Sequence, residues 1–328
     1  MQNFTYEQPF SVAKAAGSGG KFIAGGTTLV DLMKLGVETP PALVDVTALP
    51  LEQVEALPNG GLRIGALVRN SDLANHPEVL KNYAVLSQAI LSGASPQLRN
   101  MATTGGNLLQ RTRCPYFRDP TSGGCNKRNP GSGCAAIEGH HRTMAILGTS
   151  DHCIATHPSD MCVAMTALEA TIVIEGAKGK RSVPIGDFYK LPGDTPQTEN
   201  VLEPGDLITH VELPPAVGTR QFYLKLRDRA SYEFALASAA IVANAENGHI
   251  RAVRVAMGGV GTRPWRSHEA EAQLTGKPAT PEHFKLAAEA ALKGAKPHPE
   301  NAFKVELARR GVVRALKTAT VPPQILSS

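Results

Sequence analysis

Residues 21–36 read KFIAGGTTLVDLMKLG. The opening KFIAGG is a β-like run into two glycines. In the segment that follows, Leu29, Leu32 and Met33 fall on one helical face, and Gly36 stands where a helix C-terminus favours glycine. Strand, glycine pair, helix is a βα unit whose turn is chemically special. Adjacent glycines let backbone N–H groups converge on a phosphate, and Thr27 and Thr28 add hydroxyl donors. A helix starting after Thr28 would turn its positive end to the same anion. A second stretch of this kind is ATTGGN (102–107). Neither fits G-x-G-x-x-G or the P-loop, so a Rossmann or Walker site is not indicated. Each pair alone also fits a plain turn; together they could grip a diphosphate from two sides.

Working outward, ALVDV (42–46) and LRIGALV (62–68) read as buried strands. NYAVLSQAILSGA (82–94) reads as an amphipathic helix ending at Gly93. SDMCVAMTALEA (159–170) is helical and TIVIEG (171–176) a strand. Composition shifts at the Pro-rich segment Leu191–Pro215. Beyond it, RQFYLKLR, ALASAAIVANA and HIRAVRVAMGGV read as consecutive strands, with Asn247-Gly248 as the hairpin turn between the last two. Thr280-Pro281 opens a helix whose stripe is Phe284, Ala288, Ala291 and Leu292. There is no internal repeat.

The chain has 328 residues, 42% hydrophobic and 19% charged, with a net charge of +5. That length holds two or three domains, and that balance belongs to a globular protein and not a disordered one. MQNFTYEQPFSVAKAAGSGG lacks an apolar run behind a basic start, so no signal peptide is expected there. No window is apolar enough to span a membrane.

From 108 to about 155 the periodicity vanishes, apart from a possible short strand at TMAILG (143–148). This is too long for a structureless loop in a compact domain. All five cysteines lie in or just after it: Cys114, Cys125, Cys134, Cys153 and Cys162. An odd, clustered set is no secreted disulfide framework, and the absence of C-x-x-C argues against a zinc ribbon. The set also fails the tight ferredoxin run. Cys162, inside DMCVAM, reads as a small core residue. The others sit among Pro and Gly, where packing explains them poorly and a metal site better. His140, His141, His152 and His157 could complete a zinc site or lie exposed; sulfur alone favours an iron–sulfur cluster. Arg111, Arg113, Arg118, Lys127 and Arg128 make the loop basic. A nucleic-acid patch, a solvated loop or a counter-charge to a bound anion would each account for them.

In order, FIAGGTTLVDLMK, RNMATTGGNLL, THPSDMCVAM and YLKLRDRASYEFALASAA resemble the FAD-binding middle subunit of the xanthine oxidase family of molybdenum hydroxylases. The resemblance covers essentially the whole chain. The cysteine-rich insertion, with QRTRCPYF, CNKR, PGSGCAA and CIATHPSDM, is similar to the [4Fe–4S]-bearing one in the flavin subunit of bacterial periplasmic aldehyde oxidoreductase. The flavin subunit of 4-hydroxybenzoyl-CoA reductase is the nearest rival. The resemblance implies an α+β fold. It comprises a two-subdomain FAD-binding unit of the vanillyl-alcohol oxidase/PCMH type (1–57 and 58–216, with the insertion at about 108–155) and a C-terminal α/β domain (217–328) with an antiparallel sheet and helices.

The resemblance further implies that Cys114, Cys125, Cys134 and Cys153 ligate the cluster. Ile23, Ala24, Gly25, Gly26, Thr27, Thr28 and Leu29 would wrap the FAD diphosphate. Thr103, Gly106 and Asn107 would form its second wall, with Ser159 and Asp160 at the ribityl and diphosphate region. Ile208 and Lys225 would approach the isoalloxazine ring. On residue type alone, Asp160 could merely share a helix cap with Ser159, and Lys225 could be an exposed strand residue. The implied protein is an electron-transfer subunit with no catalytic residue of its own. Its partners would be a large molybdenum-cofactor subunit that oxidises an aldehyde and a small subunit with two [2Fe–2S] clusters, in a heterotrimer or a dimer of heterotrimers. Electrons would leave to an external acceptor; no nucleic-acid partner is expected. The complex would be periplasmic, exported by a partner's twin-arginine signal, or else cytoplasmic.

Overall fold

The computed structural model describes residues 2–218 and 220–320; Met1 and 321–328, the outer ends of the first and last expected segments, lie outside them. Three sheets organise the described residues. β1 (Thr5–Glu7), β2 (Lys21–Ile23) and β3 (Ala42–Asp45) form a parallel sheet in the order β1-β3-β2. The helix Leu29–Lys34 follows β2 and buries Leu32 and Met33. Gly36 ends it at φ +72, and the Val37 N–H closes back on the Leu32 carbonyl. Only glycine takes that backbone conformation without strain.

The second sheet is antiparallel and drawn from distant segments: β4 (Val54–Ala56), β5 (Leu62–Gly65), β6 (Thr171–Gly176), β7 (Gly179–Pro184) and β8 (Leu207–Leu213), in the order β4-β5-β8-β6-β7. Helices Ala84–Ser92 and Asp160–Ala167 share the main hydrophobic core with it. One expectation is corrected here, and one strand is added. LRIGALV is a strand only to Gly65, because a Cβ there would lie 2.1 Å from the Leu51 carbonyl oxygen and the chain turns at this close approach. The Pro-rich segment hides β8, whose buried positions mark a strand that the surrounding prolines mask.

The third sheet carries β9 (Arg220–Leu226), β10 (Ala237–Glu246), β11 (His249–Gly258) and β12 (Trp265–Arg266), antiparallel in the order β12-β11-β10-β9. Asn247 and Gly248, at φ +50 and +76, make the expected two-residue turn. Helices His268–Leu274, Pro281–Ala291 and Phe303–Thr320 complete its core, with Phe284, Ala288 and Ala291 buried. Among the described residues, no helix is long and apolar enough to cross a membrane.

TMAILG is not a strand. Leu147 makes one bridge to Gly261, and the Ile146 and Leu147 N–H groups share the Val260 carbonyl. A buried cation fixes this segment: Lys304 is fully buried, and its ammonium donates to the carbonyls of Thr143 (3.1 Å), Met144 (2.8 Å) and Gly259 (2.5 Å). Lys304→Met would keep the stem's packing and leave those carbonyls desolvated without their donor. A loss of roughly 2 kcal/mol is expected in urea unfolding, with faster proteolysis confined to 140–150.

Candidate functional site

A cleft of about 270 Å³ opens between the turn that follows β2, the helices Ala84–Ser92 and Asp160–Ala167, and β9 with the loop beyond it. Thr27 and Thr28 line one side, Ala102, Gly106 and Asn107 the next, Asp160 and Lys225 the floor, and Tyr232 and Phe234 the mouth. The first wall is the turn between β2 and its helix. A Cβ on Gly25 would stand 1.9 Å from the Met101 carbonyl oxygen, so the two walls touch backbone to backbone and only glycine fits. Gly26 adopts φ +68, and the Thr28 hydroxyl does not cap the helix it precedes. Among the described residues, the N–H groups of Gly25, Gly26, Thr27, Thr28 and Leu29 have no protein acceptor. Five consecutive donors left open beside a cleft suit an anion with several oxygens. Ile23 ends β2, and Ala24 leads into the turn.

The second wall is built differently from the sequence expectation. The Thr104 and Gly105 N–H groups donate to Val68 and Ala66, and Gly106 donates to the Thr103 hydroxyl. These glycines serve close packing, since a Cβ on Gly105 would meet Ala66 at 3.1 Å. Asn107 is the polar group this wall turns to the cleft. Its Oδ1 accepts from Ser159 Oγ (2.7 Å) and Gln110 Nε2 (2.5 Å). Ser159 Oγ in turn accepts from the Cys162 N–H at 3.0 Å, capping the helix Asp160–Ala167.

Asp160 does more than share that cap. It accepts from Lys225 Nζ (2.8 Å) and from the Tyr223 hydroxyl (2.6 Å), and Lys225 also donates to the Ser92 carbonyl at 3.1 Å. The side chains of Lys225 and Asp160 are only 4% and 8% exposed, which rules out an exposed strand lysine. Burial, and then Asp160, push the Tyr223 phenol well above its ordinary pKa, so it remains a donor. Ile208 stands apart: it is buried in β8 beside Ile174, in the main core and not among the cleft's lining.

The insertion folds around its cysteines. Cys114, Cys125 and Cys153 share one small buried cluster with Phe117, Met144 and Ile154, and Cys134 packs against it. Cys125 and Cys134 face each other across an isolated antiparallel bridge, and all five cysteines are free. Asn126 shapes this hairpin, its Oδ1 accepting from the Gly131 and Gly133 N–H groups. Burial pushes the Cys114 thiol up to about 12 and raises that of Cys153. Among the described residues, no three His, Cys, Asp or Glu side chains form a closed ligand group. The thiols are therefore gathered without being closed on one point. Cys162 belongs to the main core, bonded to the Tyr189 hydroxyl at 3.1 Å.

The histidines are engaged elsewhere. His140 and His141 meet Glu300, His152 meets Asp194 at 3.4 Å, and His157 packs edge-on to Tyr189 with its ring centroid at 4.7 Å. Burial lowers the His157 pKa to about 4, keeping the imidazole neutral.

The basic loop is not a solvated patch. Arg111 pairs with Glu199 and Glu38, Lys127 with Glu199, and Arg113 and Arg118 with Asp31. The Arg128 guanidinium donates to the carbonyls of Tyr116, Phe117, Asp119 and Gly123. Burial opposes ionisation of Glu199, but Lys127 and Arg111 prevail and lower its pKa. These charges fasten the insertion to the helix Leu29–Lys34 and to the segment around residue 199.

Sequence reasoning missed Asn70, Arg99 and Phe234, which line the cleft, and Tyr223, which donates to Asp160. Tyr223 alternates with Lys225 along β9, a period-2 signal that was legible. Asn70 had no local mark.

Residues 2–216 match the family described as the FAD binding domain in molybdopterin dehydrogenase, and residues 222–319 match the CO dehydrogenase flavoprotein C-terminal domain. The chain is 52% identical to the aldehyde oxidoreductase FAD-binding subunit PaoB of Escherichia coli K12, over 97% of this chain and 99% of that one. It is 30% identical to the glyceraldehyde dehydrogenase medium chain of Sulfolobus acidocaldarius, over 78% and 73%. A solved carbon monoxide dehydrogenase from Hydrogenophaga pseudoflava superposes with a TM-score of 0.75 at 27% identity, covering 97% of each chain.

Proposed function

The chain belongs to the molybdopterin dehydrogenase FAD-binding family, and from that premise we propose that it is the FAD- and [4Fe–4S]-bearing electron-transfer subunit of a molybdenum-dependent aldehyde oxidoreductase. The observation that carries the flavin part is the open run of N–H groups from Gly25 to Leu29, in the turn whose Thr27 and Thr28 line the cleft. The aldehyde part rests on the likeness to an aldehyde oxidoreductase FAD-binding subunit over nearly the full length of both chains. In this reading Gly25–Leu29 bind the diphosphate, and Asn107, oriented by Ser159, faces the ribityl and diphosphate region. The buried Asp160–Lys225 pair offers the cofactor an oriented carboxylate and ammonium. Phe234 and Tyr232 shield the mouth from water. FAD, when bound, supplies exchange between one-electron and two-electron transfer.

Cys114, Cys125, Cys134 and Cys153 would hold the [4Fe–4S] cluster. A sulfur-only donor set in a shared buried patch fits it, and a bound cluster would supply one-electron storage. The subunit would receive electrons from two [2Fe–2S] clusters of a small partner, downstream of a large molybdenum-cofactor subunit, and pass them to an external acceptor. The division into 1–57, 58–216 and 217–328 and the export of the folded complex to the periplasm by a partner's twin-arginine signal belong to the same proposal.

The test is to purify the chain with its partner subunits and count iron and flavin per polypeptide in wild type, Cys125→Ser and Cys162→Ser. Cys125→Ser is expected to lose the iron of this chain and keep its FAD; Cys162→Ser is expected to keep both. Iron unchanged in Cys125→Ser would remove the cluster from the reading. The wild-type complex should oxidise aromatic or aliphatic aldehydes, and failure on all of them would remove the aldehyde assignment.

A further inference from the structure

Asn70 opens the helix Asn70–Asn75, and its N–H donates to the Ala102 carbonyl at 2.9 Å. It lines the cleft between Thr28 on one wall and Gly106 on the other. The residue is only 4% exposed, yet its Oδ1 has no hydrogen-bond partner. A buried amide oxygen without a donor is costly and rare. Its neighbours do not suffer this: Thr104 Oγ1 is bonded to the Val68 carbonyl at 3.1 Å, and Thr103 Oγ1 to the Gly106 N–H. Asn70 is the polar group left over where the two walls meet.

We infer that Asn70 is a cofactor-reading residue, and that it recognises a hydroxyl of the sugar portion of the ligand. The inference rests on the reading of the cleft as an FAD site. Its chemistry follows from what each part of such a ligand offers. A diphosphate has only acceptor oxygens and is matched by the N–H groups of Gly25–Leu29. A carboxamide has one accepting and one donating end, interchangeable by rotation of the amide. A hydroxyl, which both donates and accepts, satisfies whichever end faces it; a phosphate satisfies the donating end alone. The requirement left unmet in the protein is for a donor to an amide oxygen; the two ring systems carry donors as well, but in a lining shared with Thr27 and Thr28 of the diphosphate turn, the adjoining sugar hydroxyls are the groups that bring one there.

The test uses the full chain in complex with its partners, stripped of flavin, titrated with FAD, and followed by flavin fluorescence and by thermal unfolding. Asn70→Leu keeps the volume and removes both polar ends; Asn70→Ser keeps a hydroxyl. The FAD Kd of Asn70→Leu is expected to rise about tenfold (about 1.4 kcal/mol), with the apo-protein Tm unchanged or higher because an unmatched polar group has gone. Asn70→Ser should recover part of the affinity. A structural role predicts the reverse, a lower apo Tm with an unaltered Kd, and that result would overturn the inference. Wild-type protein that binds no FAD would instead overturn the reading of the cleft, leaving the two failures distinguishable.

Discussion

Gly25→Ala is expected to reduce FAD binding at least a hundredfold while changing one methyl group. The Cβ it adds would lie 1.9 Å from the Met101 carbonyl oxygen and 2.7 Å from its carbon, and both are backbone atoms. A flexible side chain could move aside; this backbone is held on both sides. The Met101 carbonyl accepts from Arg69 at 2.9 Å, and the Met101 and Ala102 N–H groups both return to the Leu98 carbonyl. The turn from Gly25 to Leu29 must therefore give way, and with it the register of five N–H groups. A hundredfold loss corresponds to about 2.7 kcal/mol, the scale of losing two or three charge-assisted hydrogen bonds. Equilibrium titration of deflavinated complex with FAD reads this directly. Gly36→Ala provides the comparison: nothing lies within 4 Å of its would-be Cβ, so its only penalty is the positive φ, and FAD affinity should hold.

Asp160→Leu should cost about 3–5 kcal/mol in stability, because it strands the Lys225 ammonium in a buried site. Lys225 would retain only the Ser92 carbonyl at 3.1 Å, and the Tyr223 hydroxyl, which donates to Asp160 at 2.6 Å, would lose its acceptor. The double variant Asp160→Leu/Lys225→Met removes both charges together and should recover more than half of the loss, since the uncompensated charge has gone. Urea unfolding of wild type, both single variants and the double variant measures the coupling. Additive losses would show that the pair does not act as a unit. FAD affinity should stay low in the double variant whatever its stability, which separates holding the fold from holding the cofactor.

Much of this architecture was legible because local chemistry and tertiary need agree. KFIAGGTTLVDLMKLG is a strand, a turn and a helix for reasons contained within sixteen residues, and Gly36 ends the helix as its position demands. The C-terminal hairpin follows from Asn247-Gly248 in the same way. What stayed hidden depends on contacts distant in sequence. β8 pairs with β5 and β6 across the chain, and its prolines lie outside the strand itself. The segment around Leu147 has strand-like residues but no partner strand; its bonds go singly to the Val260 carbonyl, the Lys296 and Thr262 N–H groups, and the Lys304 ammonium. In the site, the glycine pairs looked alike and act differently. Gly25 and Gly26 leave their N–H groups open, whereas Gly105 and Gly106 donate theirs to protein acceptors. No spacing rule separates the two, because the difference lies in which backbone stands opposite. The basic loop misled in the same manner, since Asp31, Glu38 and Glu199, which receive most of its charge, come from two remote segments.

The cleft between the Gly25 turn and β9 stands or falls on flavin stoichiometry at that turn. The direct measurement is the FAD content of complex purified from wild type and from Gly25→Ala, determined by absorbance after acid release and normalised to this polypeptide. One FAD per chain in wild type, and a content near zero in a folded Gly25→Ala complex, is the expected result. Full flavin occupancy in both would contradict it, placing the cofactor somewhere other than the wall formed by Gly25 and Met101.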